Sequence, residues 1–436
     1  MQRYEKYKDS GIDWLGEIPE HWEDRKLGNI LHPYSVKNRA DLPLLSITRE
    51  KGVIRRGEDT EEDNHNFIPD DLSGYKHLKV GQFGMNKMKA WQGSYGYSNF
   101  EGIVSPAYYI FDISSNLFGE YFSKTIRSKA YIPFFTKASD GVRIGQWDLA
   151  KQRMKEIPFY VPPLNEQKAI TKFLDDKCKK IDEAINLKEQ QIEKLKELRQ
   201  ITIHDAVTKG ISHFKGEVVP TKDSGIDWIG EIPEHWEVKK LKYLYYLTGG
   251  GTPSKENSAF WNGSIPWVSP KDMKAKWIEK TEDYISEVAI QNSSTKLIPK
   301  NSLLLVVRSG ILQRTLPLCF AKVDLTINQD IKAITVKSKM TSEFLYYYIL
   351  GLERFLLKEW VKDGATVESI EISYLENTKL IFPSLFEQQE IVAYLEEQTS
   401  KIDKAIVQRQ EQIVKLKEYK QSLINEAVTG KIKIIA

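Results

Sequence analysis

The stretch PPLNEQKAITKFLDDKCKKIDEAINLKEQQIEKLKE, beginning at Pro162, returns 221 positions later as PSLFEQQEIVAYLEEQTSKIDKAIVQRQEQIVKLKE, beginning at Pro383. In the first copy Leu174, Cys178, Ile181, Ile185, Ile192 and Leu195 recur on a three-four spacing; Leu395, Thr399, Ile402, Ile406, Ile413 and Leu416 repeat it. That is the apolar seam of a coiled coil. No proline falls between Pro163 and Pro220 or after Pro383, and Gly210 and Gly430 stand where each pattern stops, as glycines do at helix C-termini. Each copy predicts a helix of about 40 residues, roughly 60 Å long at 1.5 Å per residue. Such a rod cannot bury its stripe alone, so the expected partner is its own copy, in an antiparallel intramolecular pair. Lys188 and Arg409 take the same seam position; they either fix register or lay their stems along the seam with the charge in water. Asn165 is the expected cap of the first helix, and Ser384-Leu385-Phe386-Glu387 has the form of a capping box on the second.

A second repeat organises the rest. KDSGIDWLGEIPEHWE, Lys8 to Glu23, and KDSGIDWIGEIPEHWE, Lys222 to Glu237, differ only at Leu15 against Ile229. The chain is therefore two tandem halves, each a Trp-rich box, a globular stretch and a long charged helix, and so long a period indicates duplicated domains rather than a solenoid. The segments read as 1–23, first box; 24–160, first globule; 161–210, first helix; 211–237, linker and second box; 238–380, second globule; 381–430, second helix; 431–436, tail. In the first globule strand-like AYYIFDIS near Ala107 precedes helical LFGEYFSKTIRSKAYIPFF and then DGVR at Asp140; in the second, DIKAITVK near Asp330 precedes SEFLYYYILGLERFLLKEW and then DGAT at Asp363. The expected fold class is α+β, with two globular mixed α/β domains separated by two long antiparallel coiled-coil helices and a pseudo-two-fold internal repeat. Such symmetry would set Lys8 to Trp22 beside the end of the second helix near Gly430 and close the chain. Trp14, Trp22, Trp228 and Trp236 serve that closure or the domain cores, burial being the commoner role of aromatics. His21 and His235 read as structural.

At 436 residues the chain exceeds one ordinary core, and 41% hydrophobic with 28% charged residues describes a folded globular protein. No apolar run approaches the ~18 residues of a membrane helix, and MQRYEKYKDS lacks the apolar stretch of a signal peptide. The expected location is the cytoplasm. Cys178 and Cys319 make no disulfide framework or metal cluster and are expected to be buried thiols. A formal charge of +3, from 63 basic and 60 acidic residues, means that attraction to a polyanion must come from local patches. Val161-Pro162-Pro163-Leu164 is a helix start rather than a methyltransferase Asn-Pro-Pro-Tyr motif, and Gly249 to Gly251 precede Thr252-Pro253 rather than a phosphate-loop lysine. The expectation is no catalytic centre, metal or cofactor in this chain. A coiled-coil adaptor would explain the helices but not two diversified globules, and a self-contained nuclease would need metal carboxylates that no motif supplies.

GGTPSKENSAFWNGSIPWVSPKDMK from Gly250, Asn328-Gln329, MNKMKAWQGSYGYSNFEGIVSPAYYIF from Met85, the paired boxes and the PPLNEQ and PSLFEQ helix starts together resemble the specificity subunit of a type I restriction-modification enzyme. The resemblance covers essentially the whole chain; Phe386 departs from it, standing where a small or polar residue is usual. It implies two target-recognition domains for double-stranded DNA, a helical spacer on which two methyltransferase subunits dock, and restriction subunits in the larger assembly. S-adenosylmethionine, ATP and Mg²⁺ are then expected on the partners, which carry methyl transfer to a flipped adenine and ATP-driven cleavage.

A DNA reader needs phosphate contacts for affinity and base-edge contacts for specificity. In the first globule Arg49, Lys51, Arg55 and Arg56 lie around a predicted turn, while Lys87, Lys89 and Gln92 follow a strand with Trp91 among them. In the second, Lys271, Lys274 and Lys276 follow the IPWVSP strand, and Arg308, Gln313 and Arg314 follow SLLLVV. Arg on guanine and Gln on adenine are the pairings that major-groove geometry favours. The acidic run GEDTEED, Gly57 to Asp63, is expected to face away from phosphate. Because the globules differ, the expected target is bipartite and asymmetric, its half-sites ~10 base pairs apart or somewhat more.

Overall fold

Two helices dominate the computed structural model, Leu164–Lys209 with 46 residues and Leu385–Val428 with 44. Residues 2–57, 68–141, 147–362 and 367–434 are described. DGVR beyond Gly141, all of DGAT, and the acidic run beyond Gly57 lie outside them. The chain divides into two compact units, residues 1–189 with 410–436 and residues 190–409, so each unit holds part of both long helices.

In the first unit the box folds as a small hairpin, Tyr7–Asp9 against Glu17–Pro19. Glu23–Lys26 then pairs with Pro158–Val161, which brings the two ends of the globule together. Between them stands a four-stranded antiparallel sheet in the order Leu31–Tyr34, Tyr108–Ile113, Phe83–Asn86, Tyr95–Tyr97. In the Tyr108–Ile113 strand Tyr108 and Ile110 join Leu45, Ile47 and Leu78 in one core, while Phe111 meets Phe83 in another, where Phe83, Phe122 and Phe159 stack edge to face or tilted. Helices Gly119–Ile126 and Ile132–Lys137 cover it.

The second unit repeats the plan. Its box pairs Thr221–Asp223 with Glu231–Pro233, and Glu237–Lys240 pairs with Lys379–Phe382. A five-stranded sheet runs Tyr245–Gly249, Ile331–Val336, Leu303–Val306, Leu318–Ala321, Trp277–Ile278, with a parallel pair at its edge. A three-stranded sheet adds Asp283–Ile285, Ile265–Val268 and Thr326–Ile327, the last two parallel. Leu303–Val306, buried on both faces, is the continuous apolar run of a central strand.

Within each unit the long helices run antiparallel. In the first, the Lys420 ammonium meets both oxygens of Asp182 at 2.7 Å, while Glu166 at one helix start and Gly430 at the other helix end contact the same Trp22. In the second, Arg409 reaches Gln191 at 3.1 Å and Arg199 reaches Asp403 at 3.0 Å, the partner number falling as the other rises. Leu174, Ile181, Ile185, Ile192, Leu395, Ile402 and Ile413 are buried; Leu195, Ile406 and Leu416 are half-buried. The seam is not covered by helix alone. Ile203 and Val207 enter the core of the second globule, where Gly351 of helix Ser342–Gly351 leaves room for them; a Cβ there would stand 3.0 Å from Val207 Cγ2.

Three local expectations change. Asn165 does not cap the first helix: the Pro163 carbonyl accepts the Gln167 N–H at 2.9 Å, so Asn165 lies exposed in the first turn. Ser384 Oγ does accept the Glu387 N–H, at 3.4 Å, but the Glu387 carboxylate turns to the box instead of completing a capping box. Cys319 is buried, its thiol pushed up to about 12 by desolvation, whereas Cys178 is only half-buried. Among the described residues no helix is long and apolar enough to cross a membrane.

Candidate nucleic-acid interface

The repeated Glu-Gln at each helix start fixes a globule in place. Glu166 accepts the Trp22 indole N–H at 3.0 Å and meets His21 Nε2 at 2.8 Å, and Tyr4 donates its hydroxyl to the same carboxylate. Glu387 treats Trp236 and His235 identically, at 3.1 and 2.8 Å. Trp22 and Trp236 are buried, as an indole with a satisfied N–H can be. The neighbouring glutamines face the globules. Buried Gln167 donates to the Pro162 carbonyl and accepts the Phe118 N–H at the start of helix Gly119–Ile126. Gln388 donates to Pro383 and Lys339 carbonyls and accepts the Thr341 N–H at the start of helix Ser342–Gly351. One dipeptide thus ties box, globule and long helix together in both halves.

The box also meets the far helix end. Tyr7 donates to the Gly430 carbonyl at 3.0 Å, and a Cβ on Gly430 would lie 2.3 Å from Pro19. Trp14 and Trp228 pack differently from their neighbours, on the globules: Trp14 donates to the Ala130 carbonyl and tilts on Phe134, and Trp228 stacks on Phe355 at 5.1 Å.

On this frame the first globule presents its loops. The hairpin Leu45–Thr48 with Gly52–Arg55 turns at residues 49–51, which puts Arg49 and Lys51 at its tip and Arg55 and Arg56 at the opposite end, where Arg55 lies over Phe100. The four residues therefore form two groups rather than one cluster around a turn. Arg127 holds the tip: its guanidinium donates to the carbonyls of Arg49, Glu50 and Tyr95. Gly52 is needed there, with φ +75° and only 2.6 Å between a Cβ and Arg127 Nη1. Across the tip, Gln92 ends the short turn Ala90–Gln92, and Arg49 and Gln92 line one cleft of about 750 Å³ together with Lys124 and Lys129. Lys89 is exposed; Lys87 is held by Asp148 at 2.8 Å, which raises its pKa.

In the second globule parallel pairing brings the loops after Ile265–Val268 and Thr326–Ile327 to one end of the small sheet. Lys271 and Lys274 lie in the first loop, exposed; Lys271 pairs with Glu282, which raises its pKa. Asn328 and Gln329 lie in the second. The Gly-Gly-Thr-Pro loop is seated on them, since a Cβ on Gly250 would fall 2.0 Å from the Ile327 carbonyl, and Thr252 donates to Gln329 Oε1 at 2.5 Å. The Asp330 carbonyl accepts the Arg308 N–H at 3.3 Å, which adds exposed Arg308 to this end. Gln313 donates to Glu368, and exposed Arg314 follows it. Lys276 is elsewhere in character: burial opposes its charge, yet Glu396 at 2.9 Å keeps its pKa raised, and its ammonium lies over Tyr346 and Tyr347. It fastens the globule to the second helix. The sequence alone does not mark Arg127 or the Glu-Gln pairs as organising residues; the pairs had a signal in their exact repetition, Arg127 none.

A family model described as the type I restriction modification DNA specificity domain matches residues 103–197 and 233–415. The EcoR124I/EcoR124II specificity subunit of Escherichia coli is 39% identical over 191 residues, 43% of this chain and 44% of that one. The MjaIX specificity subunit of Methanocaldococcus jannaschii is 35% identical over 173 residues, 38% of each chain. The matched region thus spans less than half the length of these two relatives. The putative MjaX specificity subunit of the same organism is 25% identical over 441 residues, 96% of each chain. A solved chain from work on complex assembly and conformational transition of the type I R-M system shares the fold at a TM-score of 0.72 and 17% identity, covering 95% of this chain and 99% of that one. The HsdS subunit from Thermoanaerobacter tengcongensis does so at 0.56 and 17%, covering 95% and 98%. Matched in both halves and over more than half of its length, the chain belongs to the type I restriction-modification DNA specificity family.

Proposed function

We propose that this chain is the non-catalytic DNA-reading subunit of a cytoplasmic type I restriction-modification complex. Each globule reads one half of an asymmetric bipartite target in double-stranded DNA. The two long helices set the spacing between half-sites and dock two methyltransferase subunits, with restriction subunits joining the larger assembly. S-adenosylmethionine, ATP and Mg²⁺ belong to those partners. The observation that carries the reading is the family match in each half, supported by identical clasps beneath loops of different sequence: Arg49, Lys51, Lys89 and Gln92 in one globule, Lys271, Lys274, Arg308, Gln313 and Arg314 in the other. Phosphate contacts from the lysines and base contacts from Arg and Gln follow ordinary groove chemistry. Arg55, Arg56, Lys87 and Lys276 complete the set of basic residues proposed for DNA contact, Lys276 also anchoring the second globule to its helix.

The test is a binding assay with the chain and its methyltransferase subunits on DNA of mapped methylation sequence. Binding should favour that sequence and weaken steeply with salt. Salt-insensitive binding, or equal affinity for unrelated DNA, would contradict the reading.

A further inference from the structure

The same helix surface differs sharply between the two halves. On the first long helix, Lys168, Ala169, Lys172 and Phe173 share a face by their three- and four-residue spacing. With Asn165, Asp176 and Ile434 they wall a groove of about 500 Å³. Ala169, Phe173 and Ile434 make its floor apolar. Lys168 and Lys172, both exposed, form its rim.

In the second half Tyr394 takes the place of Phe173, and Phe214 lies on it with ring centroids 5.0 Å apart. Phe214 follows Gly210 by four residues, as Ile434 follows Gly430. The rim lysines are replaced by Gln389 and Ala393 and Ala169 by Glu390, while Glu397 stands where the first helix has Asp176. The first face thus carries two lysines and one carboxylate, Asp176, around its apolar floor, whereas its counterpart carries two carboxylates and no lysine and has an aromatic ring laid on it. The internal occupant shows what such a floor accepts, namely an aromatic side chain.

We propose that the Phe173 groove receives an aromatic or large apolar side chain flanked by carboxylates from one methyltransferase subunit, and that the second half lacks this contact. The two copies of the partner then dock unequally, the one on the first half more tightly. A desolvated apolar anchor supplies affinity, and the rim lysines supply charge complementarity. This rests on the reading above, in which the helices dock two methyltransferase subunits.

Titration of the full chain with its methyltransferase subunit, followed by native mass spectrometry and sedimentation, tests it. A 1:1 complex should accumulate before the 2:1 complex. Lys168→Glu with Lys172→Glu should weaken the first step by about tenfold or more and remove the 1:1 plateau. Phe173→Ala should weaken the same step, with an unchanged circular dichroism melt showing that the chain is folded. Two equal steps in the natural chain, or a charge-reversed chain that titrates like the natural one, would overturn the inference alone. A chain that binds no methyltransferase subunit would overturn the functional reading as well.

Discussion

Glu166 and Glu387 show how much rests on single side chains. Each carboxylate satisfies a buried indole N–H and a histidine from its box. Glu166→Ala or Glu387→Ala strands that N–H, at a cost of about 1–3 kcal/mol. The denaturant midpoint should fall with either variant, and an unshifted midpoint would contradict the clasp. The dipeptide was visible in the sequence as a repeat, but it read as helix capping because periodicity says nothing about where a polar side chain turns. Histidines 21 and 235 read correctly as structural from their place in the boxes. Burial also sets a pH dependence. The Cys319 thiol is pushed up to about 12, while an unfolded thiol ionises near ~8.5. Above that lower value the unfolded chain loses the proton and the folded chain keeps it, so stability should fall as pH climbs from about 8.5 towards 12. Buried Tyr95, Tyr121, Tyr131 and Tyr348, also raised by desolvation, add the same loss above about 10, so Cys319→Ala or Cys319→Ser should flatten the curve between about 8.5 and 10, and an unchanged decline there would count against the assignment.

At the scale of elements, the long helices were the most legible part of the chain. Of the twelve seam positions eight are buried and four half-buried, and the stops at Gly210 and Gly430 are real left-handed residues with φ +77° and +72°. What the heptads could not show is that Ile203 and Val207 pack on a globule; a seam residue looks the same whichever apolar surface covers it. The glycines differ in their surroundings. A Cβ at Gly430 meets Pro19 at 2.3 Å, whereas at Gly210 the nearest atom is Glu387 Oε1 at 3.2 Å. Both alanine variants carry backbone strain of about 1–3 kcal/mol, and Gly430→Ala should lower the melting temperature further than Gly210→Ala. The reverse order would count against the box seating on the helix end. The basic loops were less legible. Charge and turn signals located them, but Arg55 and Arg56 lie a strand's length from Arg49 because the turn falls at residues 49–51, and Lys276 pairs with Glu396, a partner 120 residues away in sequence that no local pattern reveals.

For the whole molecule, duplication was read directly from two repeats, and each half carries its own box, globule and share of both helices. The globules resisted detailed reading because their strands are short and pair across long separations, as Tyr245–Gly249 does with Ile331–Val336. Lys276→Ala should destabilise the fold and leave the recognised sequence unchanged, since its ammonium serves Glu396 and two tyrosine rings. Thermal melts and methylation maps would divide these effects; a changed sequence with an unchanged melt would reverse the assignment. The most direct measurement is the map of methylated adenines in cells carrying this chain with the methyltransferase subunits proposed for it, repeated with Arg308→Ala. The account predicts two unlike half-sites around an unread gap, with Arg308→Ala relaxing one half-site only. An uninterrupted sequence, or loss of preference in both halves together, would contradict it.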